Sequence, residues 1–430
     1  MTNELSRRSF LNQSVCMTVA ASTGGLLMGC GGAEAQSRIS PTDEAYWNSV
    51  ASHYNVSQDI VNLENGYYGA MTKDVMAAYQ QNVDKLNFQN SFYLRNSYGA
   101  DMEAARKKIA EVLGVLPEEI ALTRGATEAL QNLITNYKLI KPGEVAMYAD
   151  LDYDSMQYCM KYLEERRGAK VVAINMPEPA TRQGILDAYA AAFAANPNTR
   201  LLLLTHVSHR TGMVMPIAEI AAMAKAKGID VIVDAAHSWG QLDFTMADLL
   251  NVDFAGFNLH KWMGVPLGVG FMYIRKERLA DIDRCFADED YGVNDIRSRV
   301  HSGTTNSANV MTVSAALDAH VALGADNKQA RLRYLRDYWV SRVRGFNGMN
   351  ILTPDEAGSY CAITSFRLTG KVSAADNNAI AAELRDKYKV FTVRRGGVAA
   401  GNCVRVSTAL FNKPADLDQL VAALKAITMS

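Results

Sequence analysis

The sequence predicts an α/β protein: a large lobe built on a mainly parallel sheet of the seven-stranded type, covered by helices, then a small α+β lobe. Three observations carry this. Short apolar runs of strand length occur at 200–206 (RLLLLTH), 230–234 (DVIVD), 253–257 and 269–274. Segments with apolar residues at helical spacing lie between and around them, at 102–113, 127–137, 155–166 and 217–227. Strands that are apolar throughout, alternating with amphipathic helices, belong to parallel sheets buried on both faces. From about residue 327 the pattern changes. A charged helix at 331–344 leads to strands at 362–368 and 404–407 and helices at 375–388 and 414–427.

The domain boundaries follow from these shifts: an N-terminal segment 1–35, a short helical arm in 36–59, a large domain 60–324 and a small domain 325–430. The chain has 430 residues with a net charge of −1, so charge gives no case for nucleic acid or an anionic membrane surface. The first segment stands apart. Arg7 and Arg8 in SRRSFL precede the mildly apolar run at 15–29, which resembles a twin-arginine export signal and implies the periplasm, with the translocation machinery as a partner. Two cleavage sites stay open. LMGC ending at Cys30 resembles a lipobox, which would leave a lipid anchor on Cys30; Ala33-Glu34-Ala35 resembles an ordinary signal-peptidase site. Of the six cysteines, Cys16 and Cys30 belong to this segment; Cys159, Cys285, Cys361 and Cys403 show no C-x-x-C spacing, which excludes a zinc ribbon or a dithiol motif.

Ligands of such sheets gather at the carboxyl ends of the strands. Asp234 ends one strand, His206, Ser208 and His209 follow another, and His260 and Lys261 follow a third. Gly125-Ala126-Thr127 opens a helix, where free N–H groups and a hydroxyl suit a phosphate. A lysine near buried strands is costly unless it has a task. A phosphate cradle, a buried carboxylate and a buried lysine together fit pyridoxal 5'-phosphate. The lysine condenses with the aldehyde, and the carboxylate keeps the ring nitrogen protonated so that the ring accepts electrons. Each part alone has a plain structural reading: a helix start, a helix cap, a surface ion pair.

The order and wording of these parts resemble the class V aminotransferase superfamily, of the pyridoxal phosphate type I fold. The resemblance runs from about residue 62 to the C-terminus. It rests on NLENGYYG (62–69), TRGATEAL (123–130), DLDYDS (150–155), THVSHRTGMVMPI (205–217), VDAAHSWGQ (233–241), NLHKWMGVPLGVG (258–270), HSGTTN (301–306) and VRVSTALFN (404–412). It implies that Lys261 carries the cofactor and shuttles a proton at the substrate α-carbon, and that Asp234 is the ring-nitrogen partner. His237 contacts the ring or its phenolic oxygen, and Tyr153 stacks on it. Gly125, Ala126 and Thr127 hold the phosphate with help from His260 and Asn258. Thr304 matches a residue that reaches the phosphate of a neighbouring subunit, which implies a homodimer. Arg405 matches the clamp for a substrate α-carboxylate, a bidentate task suited to guanidinium; Tyr67 and Arg210 join it as substrate-binding candidates. Ser208 or His209 stands where relatives often have an asparagine.

Rival readings attach to the same residues. Five of the seven histidines fall in these motifs, but His206-x-x-His209 at a strand end is weak as a zinc pair, and no metal is assigned. Tyr153 and Tyr67 can be packing aromatics, and Arg405 a structural ion pair. A non-catalytic binding protein on this fold is disfavoured by the intact Lys261 and Asp234. The loop RRGGVAAGNCVRVS (394–407) has Gly397, Val398 or Ala399 where cysteine desulfurases carry their nucleophile, which argues against persulfide chemistry. NGYYG, Tyr153 and SHRTG resemble the isopenicillin N epimerase-like branch. Within it, an exported enzyme resembles those that tailor the glutamate side group of pyoverdine siderophores to succinamide by oxidative decarboxylation. The expectation is chemistry at the α-carbon of a small-molecule or peptide amino substrate. Transamination, epimerisation and C–S lysis of a small amino acid are the alternatives.

Overall fold

The computed structural model describes residues 38–429. The twin-arginine pair, Cys30 and both cleavage sites lie outside the described residues. The strands are β1 (Val61–Asn62), β2 (Ile120–Thr123), β3 (Val145–Ala149), β4 (Lys170–Ile174), β5 (Thr199–Thr205), β6 (Asp230–Asp234), β7 (Phe254–Asn258), β8 (Gly270–Ile274), β9 (Met349–Ile351), β10 (Ile363–Leu368), β11 (Val390–Phe391), β12 (Val393–Arg395) and β13 (Cys403–Ser407).

Seven of them form one sheet in the order β2-β8-β7-β6-β5-β3-β4. The pairs β3–β4, β3–β5, β5–β6 and β6–β7 are parallel; β7–β8 and β2–β8 are antiparallel. The reversal at β8 has a local cause. The stretch 259–269 that joins β7 to β8 contains no helix, and a parallel return needs a helical crossover. That connection carries Lys261.

Side chains leave a strand on alternate faces, and the core follows that rule. Leu202, Leu204, Val231, Val233 and Phe257 enter one apolar cluster, while Leu201, Leu203, Ile232 and Phe254 enter a second on the opposite face. Helices Tyr98–Leu113 and Ile217–Lys225 cover the first face; Ala126–Thr135 and Asp154–Arg167 cover the second. A third cluster, with Leu335, Trp339, Phe366, Val404, Val406 and Leu417, fills the small lobe beneath the antiparallel sheet β12-β13-β10-β9. β1 pairs in parallel with β11, so Leu63 lies in this third cluster. The segment leading into the NGYYG motif is thereby anchored on the small lobe.

Helix Lys73–Asn96, strands β3 and β4 and helix Arg182–Ala195 were not foreseen in the sequence. β4 is an edge strand with two exposed residues, which hides its apolar signal. The long helix is interrupted at Asn90, whose φ is 39°. No helix among the described residues is long and apolar enough to cross a membrane.

Candidate active site

The carboxyl ends of β5, β6 and β7 stand side by side, with Thr205 paired to Asp234 and Asp234 to Gly256. This register brings the predicted residues together. Asp234 is buried, and its Oδ1 accepts a hydrogen bond of 2.9 Å from the Ala236 N–H. Burial raises its carboxyl above the ordinary range, against the pull of that N–H and of Lys261. Three residues on, His237 Nε2 lies 3.0 Å from Lys261 Nζ. Its Nδ1 accepts from the Trp262 indole N–H at 3.3 Å. Indole only donates, so that bond places the proton of the neutral imidazole on Nε2. Burial, then Lys261 and Arg405, hold His237 well below the usual histidine pKa, so it is neutral. With the proton there, the Nε2–H faces the lone pair of the uncharged Lys261 amine, the form that burial favours. Burial lowers Lys261 to about 8, helped by Arg405 and Arg395 and opposed by Asp234 and Glu64.

Glycines allow the backbone to close around this lysine. A Cβ on Gly69 would sit 1.6 Å from the Lys261 carbonyl oxygen, and the Gly69 N–H donates to the His260 carbonyl at 3.0 Å. Buried Lys328 donates to the Trp262 carbonyl.

The cradle is built at the start of helix Ala126–Thr135. Asn258 Oδ1 accepts from the Ala126 N–H at 2.7 Å, so Asn258 fixes the helix end to β7. Gly125 has φ +158, and a Cβ there would meet Asn258 Oδ1 at 2.9 Å. His260 lies beside it, with Nδ1 3.3 Å from the Val269 carbonyl, and is lowered mainly by burial to about 4. Thr127 is exposed at this helix start. The Gly125 and Ala126 N–H groups are engaged by Thr123 Oγ1 and Asn258 Oδ1, so what fits a phosphate here is the Thr127 amide and hydroxyl at a helix start, with a glycine that leaves room. A buried carboxylate and a lysine of lowered pKa nearby complete the donor set that pyridoxal phosphate needs.

Tyr153 caps helix Asp154–Arg167, and its ring meets the His209 ring edge-on at 5.3 Å. His209 in turn lies nearly parallel to His237, at 16° and 6.4 Å between centroids. Ser208 is wholly buried, and its Oγ accepts from the Arg210 and Thr211 N–H groups, so it shapes the turn. Arg210 is also buried: it donates to the Asp150 carbonyl at 2.5 Å and pairs with Asp154. Its guanidinium is engaged within the chain. Tyr67 is 72% exposed, and Thr304 is exposed on the segment before helix Ser307–Met311.

Arg405 on β13 is 1% exposed. Its Nη1 donates to the His209 carbonyl at 2.8 Å, and its Nη2 donates to Glu64 Oε1 at 2.5 Å and Oε2 at 2.7 Å. Arg395 Nη2 donates to the same Oε1 at 3.1 Å. Glu64, Arg395, Trp262 and Lys328 were missed by sequence reasoning. Glu64 stands inside the NLENGYYG motif and Trp262 directly follows Lys261; those two placements were the available signals.

Cys403 is buried, its Sγ facing the Arg210 and Arg395 carbonyls, and burial pushes its thiol up to about 11. His206 is buried against Phe244 and is lowered by burial to about 4. Among the described residues, Asp288, Asp290 and His301 bring metal-ligand atoms within 4.8 Å of one another. None of the three belongs to the group around Lys261.

The chain matches the family "Aminotransferase class-V" over residues 70–420. Among curated relatives, isopenicillin N epimerase of Streptomyces clavuligerus is 26% identical over 403 residues, covering 89% of this chain and 99% of that protein. A cysteine desulfurase of Haloferax volcanii is 25% identical, covering 90% and 89%. Among solved structures, the cysteine desulfurase CsdA of Escherichia coli superposes with a TM-score of 0.73 at 22% identity, covering 89% of this chain and 98% of that one. The C-DES mutant with glycine covalently linked to its pyridoxal phosphate superposes with a TM-score of 0.72 at 20% identity, covering 86% and 97%. With 351 consecutive residues matched and the lysine, carboxylate and candidate phosphate cradle assembled at the carboxyl ends of strands of one sheet, the chain belongs to the class-V aminotransferase family of pyridoxal phosphate enzymes, on the type I fold.

Proposed function

We propose that this enzyme is exported by the twin-arginine route to the periplasm. There it acts at the α-carbon of an amino group carried by a peptide-sized substrate: the glutamate side group of a pyoverdine-type siderophore, which it converts to succinamide. The observation that carries chemistry at an α-carbon is the Lys261 amine, its pKa lowered to about 8, beside neutral His237, with buried Asp234 at the adjacent strand end. Pyridoxal phosphate, when bound, supplies an electron sink for the pair left on the α-carbon. The chain's residues do the rest. Thr127 anchors the phosphate at the helix start that Gly125 and Ala126 shape, with Asn258 and His260 behind them. Asp234 holds a proton on the ring nitrogen. Lys261 takes or returns a proton at the α-carbon, and Arg405 orients a carboxylate.

The finer reading rests on the N-terminal segment and on the resemblance to the periplasmic pyoverdine-tailoring enzymes. A folded-protein route lets the cofactor bind before export. The buried, high-pKa Cys403 supports a reaction other than persulfide formation. In the proposed conversion the bond from the α-carbon to its carboxylate breaks and carbon dioxide leaves. The carbon–nitrogen bond is kept and the α-carbon becomes an amide carbon. Dioxygen is the oxidant, giving one oxygen atom to the amide and one to water.

A homodimer supports the same reading. Thr304 and Tyr67 are exposed, and Phe88 and Phe92 on helix Lys73–Asn96 are 87% and 74% exposed, as expected of surface that a second copy covers. The test is to incubate the purified mature protein with a glutamyl-terminated siderophore precursor and follow oxygen uptake and product mass. Uptake of one dioxygen per amide formed supports the proposal. Turnover without oxygen, giving a keto acid or an inverted centre, replaces it with transamination or epimerisation; the identity to isopenicillin N epimerases favours the latter as the second reading.

A further inference from the structure

One arm of the Arg405 fork, Nη2, is already taken by a carboxylate of the chain itself, and the other, Nη1, by the His209 carbonyl. Glu64 takes both of its contacts to Nη2, and its side chain is only 7% exposed. The arrangement is built in. A Cβ on Gly66 would lie 2.7 Å from Arg405 Nη2, so glycine alone lets this segment run against the guanidinium. The Glu64 backbone is fixed as well, its N–H donating to Asn62 Oδ1 at 2.9 Å. Only the side chain can move. Arg395 offers it a second place to go, since it donates to Oε1 from the more open side, its own side chain 28% exposed. The Nε of Arg405 and of Arg395 has no hydrogen-bond partner among the described residues. Two guanidinium groups thus share one carboxylate with donors to spare.

Resting on the reading of Arg405 as the carboxylate clamp, we propose that Glu64 is a specificity-determining residue. It closes the Arg405 fork in the free enzyme and yields it by shifting wholly onto Arg395. A small free amino acid or carboxylate must displace Glu64 with nothing else to offset the exchange. A peptide-sized amine has further contacts to offer, and exposed Tyr67, three residues from Glu64, stands ready to receive them. The pocket therefore discriminates against small carboxylates by competition from within, not by shape.

The two arms of the gate predict opposite signs. Propionate carries a carboxylate without an amine and probes the clamp alone. Its affinity for the protein as purified is measured by titration calorimetry. Glu64→Gln, which keeps the shape and removes the charge, is expected to bind propionate at least about tenfold more tightly than the parent. Arg395→Gln removes the receiving group and is expected to bind it about threefold or more weakly. Glu64→Gln no tighter than the parent, or Arg395→Gln tighter, overturns the proposal. If Glu64→Gln does not fold, the sign of Arg395→Gln decides alone. A parent protein that never absorbs in the visible range would remove the cofactor reading, while the order of the propionate affinities would still decide the role of Glu64.

Discussion

Two basic side chains, Lys261 and Arg405, are kept in opposite ways. At the end of the large sheet, Lys261 has neutral His237 beside it and the Trp262 indole behind that ring; two arginines at longer range favour loss of its proton, and Asp234 and Glu64 oppose it. Burial pushes the lysine toward its uncharged form. In the small lobe, Arg405 is more deeply buried, yet it keeps its charge, because a guanidinium does not deprotonate in proteins. The chain answers there with a carboxylate, Glu64, and a backbone carbonyl, that of His209. A lysine can shed its proton and become a nucleophile; an arginine can only be paired and become a grip. The difference separates the reacting corner from the recognising corner, and each substitution below acts on one and spares the other.

The largest effect is expected at the reacting corner. Lys261→Ala removes the amine that holds the cofactor and moves the proton, so turnover should fall by about a thousandfold or more. Its thermal midpoint should not fall, because removing an amine that burial already disfavours costs the fold little. Near-normal activity in Lys261→Ala would remove the mechanism. At the recognising corner, Arg405→Gln removes a charge-assisted grip, so KM for a carboxylate-bearing substrate should rise about a hundredfold while kcat changes less. This variant has a stability cost that Lys261→Ala lacks. It leaves Glu64 with Arg395 alone, and breaking a buried pair costs roughly 3–5 kcal/mol when nothing remains to compensate. Chemical denaturation of Arg405→Gln beside the Glu64→Gln, Arg405→Gln double variant checks this. The double variant should recover part of the loss, and a double variant less stable than the single one would contradict the pairing.

The two corners also differ in how far the sequence revealed them. The reacting corner was legible because it is made at strand ends. Apolar runs marked β5, β6 and β7, and the polar residue that ends or follows each run became a candidate; Asp234 and Lys261 were found this way. The edge strand β4 was not, since an edge strand need not be apolar on both faces. The recognising corner is made by residues 64, 395 and 405, far apart in sequence, on three segments that only the small-lobe fold brings together. Arg405 was visible through its motif. That Glu64 answers it depends on β1 pairing with β11 and on Gly66 lying flat against the guanidinium, neither of which periodicity reveals. Arg210 shows the reverse: a polar residue in a promising motif whose guanidinium is engaged by Asp154 and the Asp150 carbonyl.

A milder substitution tests the cradle that anchors the reacting corner. Thr127→Ala removes one hydroxyl at the helix start and leaves the backbone amides, so cofactor affinity should weaken about tenfold, the size of one hydrogen bond to a charged group. Equilibrium dialysis with pyridoxal phosphate measures it. An unchanged dissociation constant would place the phosphate elsewhere than this helix end.

The smallest expected effect is the most specific to the contrast between the corners. Among the described residues Trp262 makes no hydrogen bond to Arg405 or to the cradle; its indole N–H reaches His237 Nδ1 and so sets which imidazole nitrogen carries the proton. With phenylalanine at 262 that constraint is gone. The imidazole can then place its proton on Nδ1, and Nε2 becomes an acceptor that favours the Lys261 ammonium. Only the unprotonated amine attacks an aldehyde, so the rate of cofactor capture by cofactor-free protein should rise with pH through the lysine's pKa. In the parent that midpoint should fall at about 8. In Trp262→Phe it should move upward, toward the ordinary lysine value, by about one pH unit. Lost packing alone would lower the thermal midpoint and leave the pH midpoint in place. An upward shift in the pH profile, with capture restored to the parent rate at high pH, identifies Trp262 as a positioning residue acting through His237; an unshifted profile assigns the low lysine pKa to burial and the two arginines alone.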